Sequence, residues 1–85
     1  MKIQWLRRDV EHVVYRCFDA AGHLMYVGAT NDWPQRSSHH RARTPWWPNI
    51  TTVIPTTYPN RAEALAAELA AIRAEAPLHN RQGAQ

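Results

Sequence analysis

The sequence predicts an α+β fold, a small three-stranded, mainly antiparallel sheet flanked by helices in the order β-β-α-β-α. Three observations predict it. Two runs rich in β-branched and aromatic residues, Val13 to Phe18 and Leu24 to Ala29, are separated by a short turn-forming segment. A third such run, Ile50 to Thr57, comes much later. Between and after them lie two stretches with helix start and stop signals rather than strand alternation.

The first pair of runs reads as a β-hairpin. In Asp19-Ala20-Ala21-Gly22-His23, Gly22 tolerates positive φ and Asp19 can bond to the backbone just ahead of it. A helix follows, capped by Asn31 or Asp32, with Pro34 in its first turn. It runs to about Ala42, where Thr44-Pro45 stops it. Pro55 inside the third run lacks an N–H for a ladder bond, so that strand is expected at an edge or near its end. Asn60 with Glu63 three residues on has capping-box spacing before an alanine-rich helix that reaches Ala76 and ends at Pro77. Leu65, Leu69 and Ile72, at i, i+4 and i+7, are expected to form the stripe that packs on the sheet.

Eighty-five residues are enough for one modest core, so one domain is expected over 1-85, with its core at about 13-80. An apolar share of 45% with four Trp, three Tyr and one Phe belongs to a folded chain rather than a disordered one. The single Cys17 cannot form an internal disulfide, and with scattered histidines it lacks the paired spacing of a structural zinc site. A reducing, cytoplasmic setting is expected. No apolar run approaches the ~20 residues of a membrane span, and Met1 to Val10 is charged rather than built like a signal peptide. No membrane partner is expected.

The net charge is +3, and its placement says more than its size. Arg36, His39, His40, Arg41 and Arg43 fall together, whereas Glu63, Glu68 and Glu75 lie in the second half. Arg36 and His40, four apart on the first helix, share a face on which one phosphate could bridge a permanent planar cation and a proton acceptor. A solvated basic face is the plainer alternative.

On the second helix, at ~100° per residue, Glu68 stands about 65° from the centre of the leucine stripe, and Glu63 points to the opposite side. A carboxylate at that border is partly desolvated and calls for a cation, a donor or a metal. A salt bridge to a nearby Arg would meet the same need. Glu75, on the same flank two turns on, competes with it. Tyr15 and Tyr26 sit one on each hairpin strand, where they serve either as core or as bonded hydroxyls beside the basic helix. Gly28 closes the second strand where a side chain would obstruct a close approach. Trp46 and Trp47, between Pro45 and Pro48, either stack on unpaired bases or plug the core between the first helix and the third strand; at least one plug is expected.

Taken together, these positions resemble the GIY-YIG nuclease family over roughly Val13 to Asn80. Val13-Val14-Tyr15 resembles the first signature, with Val for its Gly and Ile, and Tyr26-Val27-Gly28 resembles the second. Arg36 and His40 match the Arg-x-x-x-His pattern of many members, Glu68 the metal-binding glutamate of the late helix, and Pro77-Leu78-His79-Asn80 the Pro-x-x-Asn ending. The resemblance implies an endonuclease that hydrolyses DNA phosphodiesters, with the choice between DNA and RNA left open. Glu68 would ligate one Mg²⁺ or Mn²⁺ that stabilises the leaving 3′ oxygen, and Arg36 would hold the scissile phosphate. Tyr15 would position or deprotonate the attacking water, with His40 and Tyr26 in the same network. Lys2, Arg7, Arg8, Arg41 and Arg43 would add backbone affinity. A protein partner or a dimer would supply specificity. The alternatives are a nucleic-acid-binding module of this fold without turnover, and a small regulatory domain whose basic face meets an acidic protein.

Overall fold

The computed structural model describes residues 11–83, and side chains as far as residue 80. Strand β1 (His12–Asp19) and strand β2 (Leu24–Thr30) form the expected hairpin, followed by helix α1 (Trp33–Arg43), a 3₁₀ turn at Trp47–Asn49, strand β3 (Ile50–Tyr58), helix α2 (Arg61–Glu75) and a short helix α3 (Leu78–Gly83). The sheet has the order β2-β1-β3, and both of its ladders are antiparallel. The α+β architecture predicted above is therefore observed, with α3 as an addition where the sequence reading stopped at Pro77.

The hairpin turn is built as its residues require. Asp19 Oδ1 accepts from the backbone N–H of Ala21 at 3.0 Å and of His23 at 2.8 Å. Gly22 takes φ +85°, a conformation that costs an L side chain. Of the two cap candidates for α1, Asp32 is the one used, accepting from Gln35 N at 3.1 Å. At α2, Asn60 Oδ1 accepts from Glu63 N at 2.9 Å, as the spacing predicts. That helix ends with Ala76 in the left-handed region, just before the buried Pro77.

Pro55 lies on β3, an edge strand, where its missing N–H disturbs no inner ladder. The opposite edge, β2, is closed by a side chain. Asn80 Oδ1 accepts from Val27 N at 2.7 Å, while its Nδ2 donates to Val27 O at 2.9 Å. The amide thus meets one residue of the open edge as a neighbouring strand would, and it fastens α3 to the sheet.

The core corrects the sequence reading. Val14 and Val27 from the sheet pack with Ala64 and Ala71 of α2, with Leu24, Ala29, Tyr58, Ala67 and Ile72 at the margins. Leu65 and Leu69, expected to face the sheet, are 36% and 48% exposed. The face of α2 that packs is the one carrying alanines. Their small side chains let the helix backbone approach the β-branched sheet residues, and the bulkier leucines are displaced to the flank.

Candidate active site

Strand alternation divides the sheet in two. Val14 points to the α2 core, so Tyr15 and Cys17 point to the other face, together with their register partners Gly28 and Tyr26. Tyr15 and Tyr26 therefore share a face, with ring centroids 6.0 Å apart. The space for Tyr15 is provided by Gly28. A Cβ at Gly28 would stand 2.5 Å from the Tyr15 hydroxyl oxygen, 2.6 Å from Tyr15 Cζ and 2.8 Å from Tyr26 Cε2, all impossible contacts. Gly28 is thus the seat of the Tyr15 phenol.

Arg36 and His40 meet at that phenol. The Tyr15 oxygen accepts from Arg36 Nη1 at 3.3 Å and lies 2.9 Å from His40 Nε2. His40 Nδ1 lies 2.8 Å from Thr44 Oγ1 one helical turn on. Burial, then Arg36 and His39, lower the His40 pKa and favour the neutral ring. Of the two neutral tautomers, one has Nδ1–H donating to Thr44 and Nε2 accepting the phenolic hydrogen, and the other reverses both bonds; only the first leaves Nε2 ready to take a proton from Tyr15. Burial raises the Tyr15 pKa, so the phenol keeps its proton. The Tyr26 pKa is also raised, by burial first.

The rings are held by aromatic walls. Trp33 sets its edge against Tyr15 at 4.8 Å, and Trp47 stacks on His40 at 4.7 Å with planes 7° apart. Trp46 stacks on His79 at 4.6 Å and leans on Tyr26 at 5.2 Å. Neither tryptophan belongs to the α2 core cluster. Both are half-buried on the site's side of the sheet, where Trp47 packs on α1 through His40 and Trp46 on Tyr26 and His79.

The two competing glutamates separate cleanly. Glu75 forms a bidentate pair with Arg16, at 2.9 Å and 2.8 Å. Glu68 is half-buried and makes no hydrogen bond or ion pair among the described residues, although Arg36 and Tyr26 lie within range of its charge. Burial raises its pKa, and Arg36 opposes the rise. Arg36 itself is half-buried and has no carboxylate partner among the described residues. A cation and an anion thus face one site without closing a salt bridge. Glu68 fits a magnesium-type ion, which keeps several waters and takes one or two carboxylates plus substrate phosphate. No cluster of three or more His, Cys, Asp or Glu able to cage a metal occurs among the described residues.

Of the remaining candidates, Asn80 serves the β2 edge, and Arg41 and Arg43 are both exposed on the last turn of α1. Arg43 lines a groove beside the site, and Arg41 does not. Lys2, Arg7 and Arg8 lie outside the described residues. Sequence reasoning missed Trp33, which lies one turn ahead of Arg36, and Thr44, which it took only as a helix stop. Their spacings of three and four on α1 were the available signals. No family model matches the chain, and no solved structure matches it. No described helix is long and apolar enough to cross a membrane.

Proposed function

We propose that this chain is a GIY-YIG-type endonuclease that hydrolyses DNA phosphodiester bonds with one Mg²⁺ or Mn²⁺. The observation that carries the reading is the unpaired state of Glu68 and Arg36 beside the bonded Tyr15–His40 pair. Maintaining a half-buried carboxylate and a half-buried guanidinium without a mutual bridge is costly, and a phosphate with its counter-ion relieves both. Arg36 holds the scissile phosphate. Glu68 holds the metal, which when bound supplies electrostatic stabilisation of the phosphate and the leaving 3′ oxygen.

Tyr15 and His40 handle the proton. As the water oxygen attacks phosphorus, its proton is taken up by the Tyr15–His40 pair: the buried Tyr15 oxygen, opened to the site by the bound substrate, receives it, and Tyr15 passes its own to His40 Nε2. The phenol never has to become a phenolate, in keeping with its raised pKa. The bond to the 3′ oxygen breaks, that oxygen is protonated from solvent, and the products carry 5′-phosphate and 3′-hydroxyl ends. The step uses the His40 tautomer whose Nδ1–H donates to Thr44 and whose Nε2 accepts.

The test is cleavage of labelled single-stranded, duplex and branched DNA with Mg²⁺, Mn²⁺ or EDTA. Metal-dependent cutting by the wild type and its loss in a folded Glu68→Ala variant are expected. Undiminished cutting by that variant would remove Glu68 from the mechanism. Binding by the wild type without cutting of any substrate would leave a non-catalytic binding module.

A further inference from the structure

The phosphate-holding residue opens onto a groove of about 810 Å³ that runs beside the later turns of α1. Arg36, His39, His40 and Arg43 line it, at i, i+3, i+4 and i+7 of one helical face, and Tyr26 and Trp46 also line it. The seven residues of helix from Arg36 to Arg43 extend about 10.5 Å. The basic stripe therefore reaches beyond the phosphate at Arg36 to a neighbouring phosphate of the same strand. Its volume falls in the ~300–1,000 Å³ range of pockets that enclose small ligands.

The aromatic side of the groove adds what a phosphate track does not need. Trp46 is braced by its parallel stack on His79 and its contact with Tyr26, yet it is only half-buried and borders the groove. A braced indole beside the guanidiniums of Arg36 and Arg43 is the arrangement that binds unpaired strands: charge follows the backbone while a ring takes a base. In a closed duplex the bases are already stacked and are not offered to it.

We infer that this groove binds an unpaired nucleic-acid strand, with Arg43 and His39 along its phosphates and Trp46 stacking on a base next to the phosphate held by Arg36. The inference rests on the nuclease reading for its direction, because Arg36 marks the scissile phosphate. Its test does not use cleavage.

In EDTA, fluorescence polarisation is measured with three labelled probes of equal length: an oligo-dT strand, the same strand with abasic sites, and a duplex. The wild type is expected to bind oligo-dT at least tenfold tighter than the duplex and about 5- to 150-fold tighter than the abasic strand, the range of one stacked base. Trp46→Leu is expected to lose discrimination between dT and abasic strands, and Trp46→Phe to keep most of it. Arg43→Gln should weaken binding of dT and abasic strands alike and lower the salt slope by about one charge. An oligo-U arm assigns the sugar, since tighter binding of U or of dT identifies RNA or DNA as the strand. Because the abasic comparison leaves the protein unaltered, misfolding of a variant does not blur it. Equal binding of dT and abasic strands by the wild type, or tighter binding of the duplex, overturns the inference. Metal-dependent cutting in the separate assay would still stand in that case.

Discussion

At Gly28 the structure gives a glycine a role that neither turn geometry nor strand propensity explains. Its φ is not in the left-handed region, so backbone freedom is not what the position uses. The missing Cβ is the space occupied by the Tyr15 hydroxyl. Tyr15 is fully buried, and its oxygen is engaged by both Arg36 and His40, so the ring cannot move aside without breaking both bonds. Gly28→Ala is therefore expected to cost about 1–3 kcal/mol of stability, the usual range for overpacking, and to reduce cleavage at least tenfold; thermal melting and cleavage assays check the two effects, and a variant equal to wild type in both would contradict this account of the glycine. The same cluster sets a pH dependence. The proton path needs neutral His40, whose pKa is lowered by burial and by Arg36. The acid limb of kcat/KM is accordingly expected below the ordinary histidine value of about 6.5, and a limb at or above it would separate His40 from the proton transfer.

The elements show what periodicity can and cannot report. The hairpin, both helix caps and the edge position of β3 were legible because each rests on a local signal: a turn glycine, an Asx residue, a proline. The packing face of α2 was not. Apolar periodicity selected Leu65, Leu69 and Ile72, but in a helix with many alanines the contact is decided by how closely the backbone can approach, and the alanine face wins. That shift of face changes Glu68 from a residue bordering the core to one on the packing side of the helix, beside Ala64 and Ala71, near enough for its charge to act on Arg36 and Tyr26. The site residues themselves were read from spacing and resemblance, whereas the Tyr15–His40–Thr44 chain needed the fold, since Tyr15 is 25 positions from His40. A direct check at this scale compares Ala71→Leu with Leu69→Ala. The first forces extra methylenes between α2 and Val14 or Val27 and is expected to cost about 1–3 kcal/mol. The second removes a side chain that is 48% exposed and is expected to cost less than about 1 kcal/mol. Chemical denaturation measures both, and the reverse order would restore the leucine face as the core.

Across the whole molecule, one sheet separates two requirements. Its α2 face supplies apolar packing, while its other face carries Tyr15, Tyr26 and the residues of α1. Glu68 belongs to the packing helix, whereas the proposed metal site asks it to be a carboxylate, a form that its burial disfavours. Its pKa is raised by burial, with Arg36 offsetting only part of the rise. A raised carboxyl gives its stabilising contribution in full below the unfolded value of about 4.3, and loses it as pH rises through the folded value, because the unfolded chain then ionises more readily than the folded one. At neutral pH the wild type bears that loss. Glu68→Gln has nearly the same shape and no charge, so it is expected to melt a few degrees higher than wild type at pH 7, the effect of a fraction of 1 kcal/mol in a domain of this size. The advantage should shrink as pH falls and vanish below about pH 4, where Glu68 is protonated in both states. Melting curves across that range decide the matter. A Glu68→Gln variant less stable than wild type at pH 7 would mean that the carboxylate is held by contacts that stabilise the fold, and the case for a residue kept at a cost for its chemistry would fail.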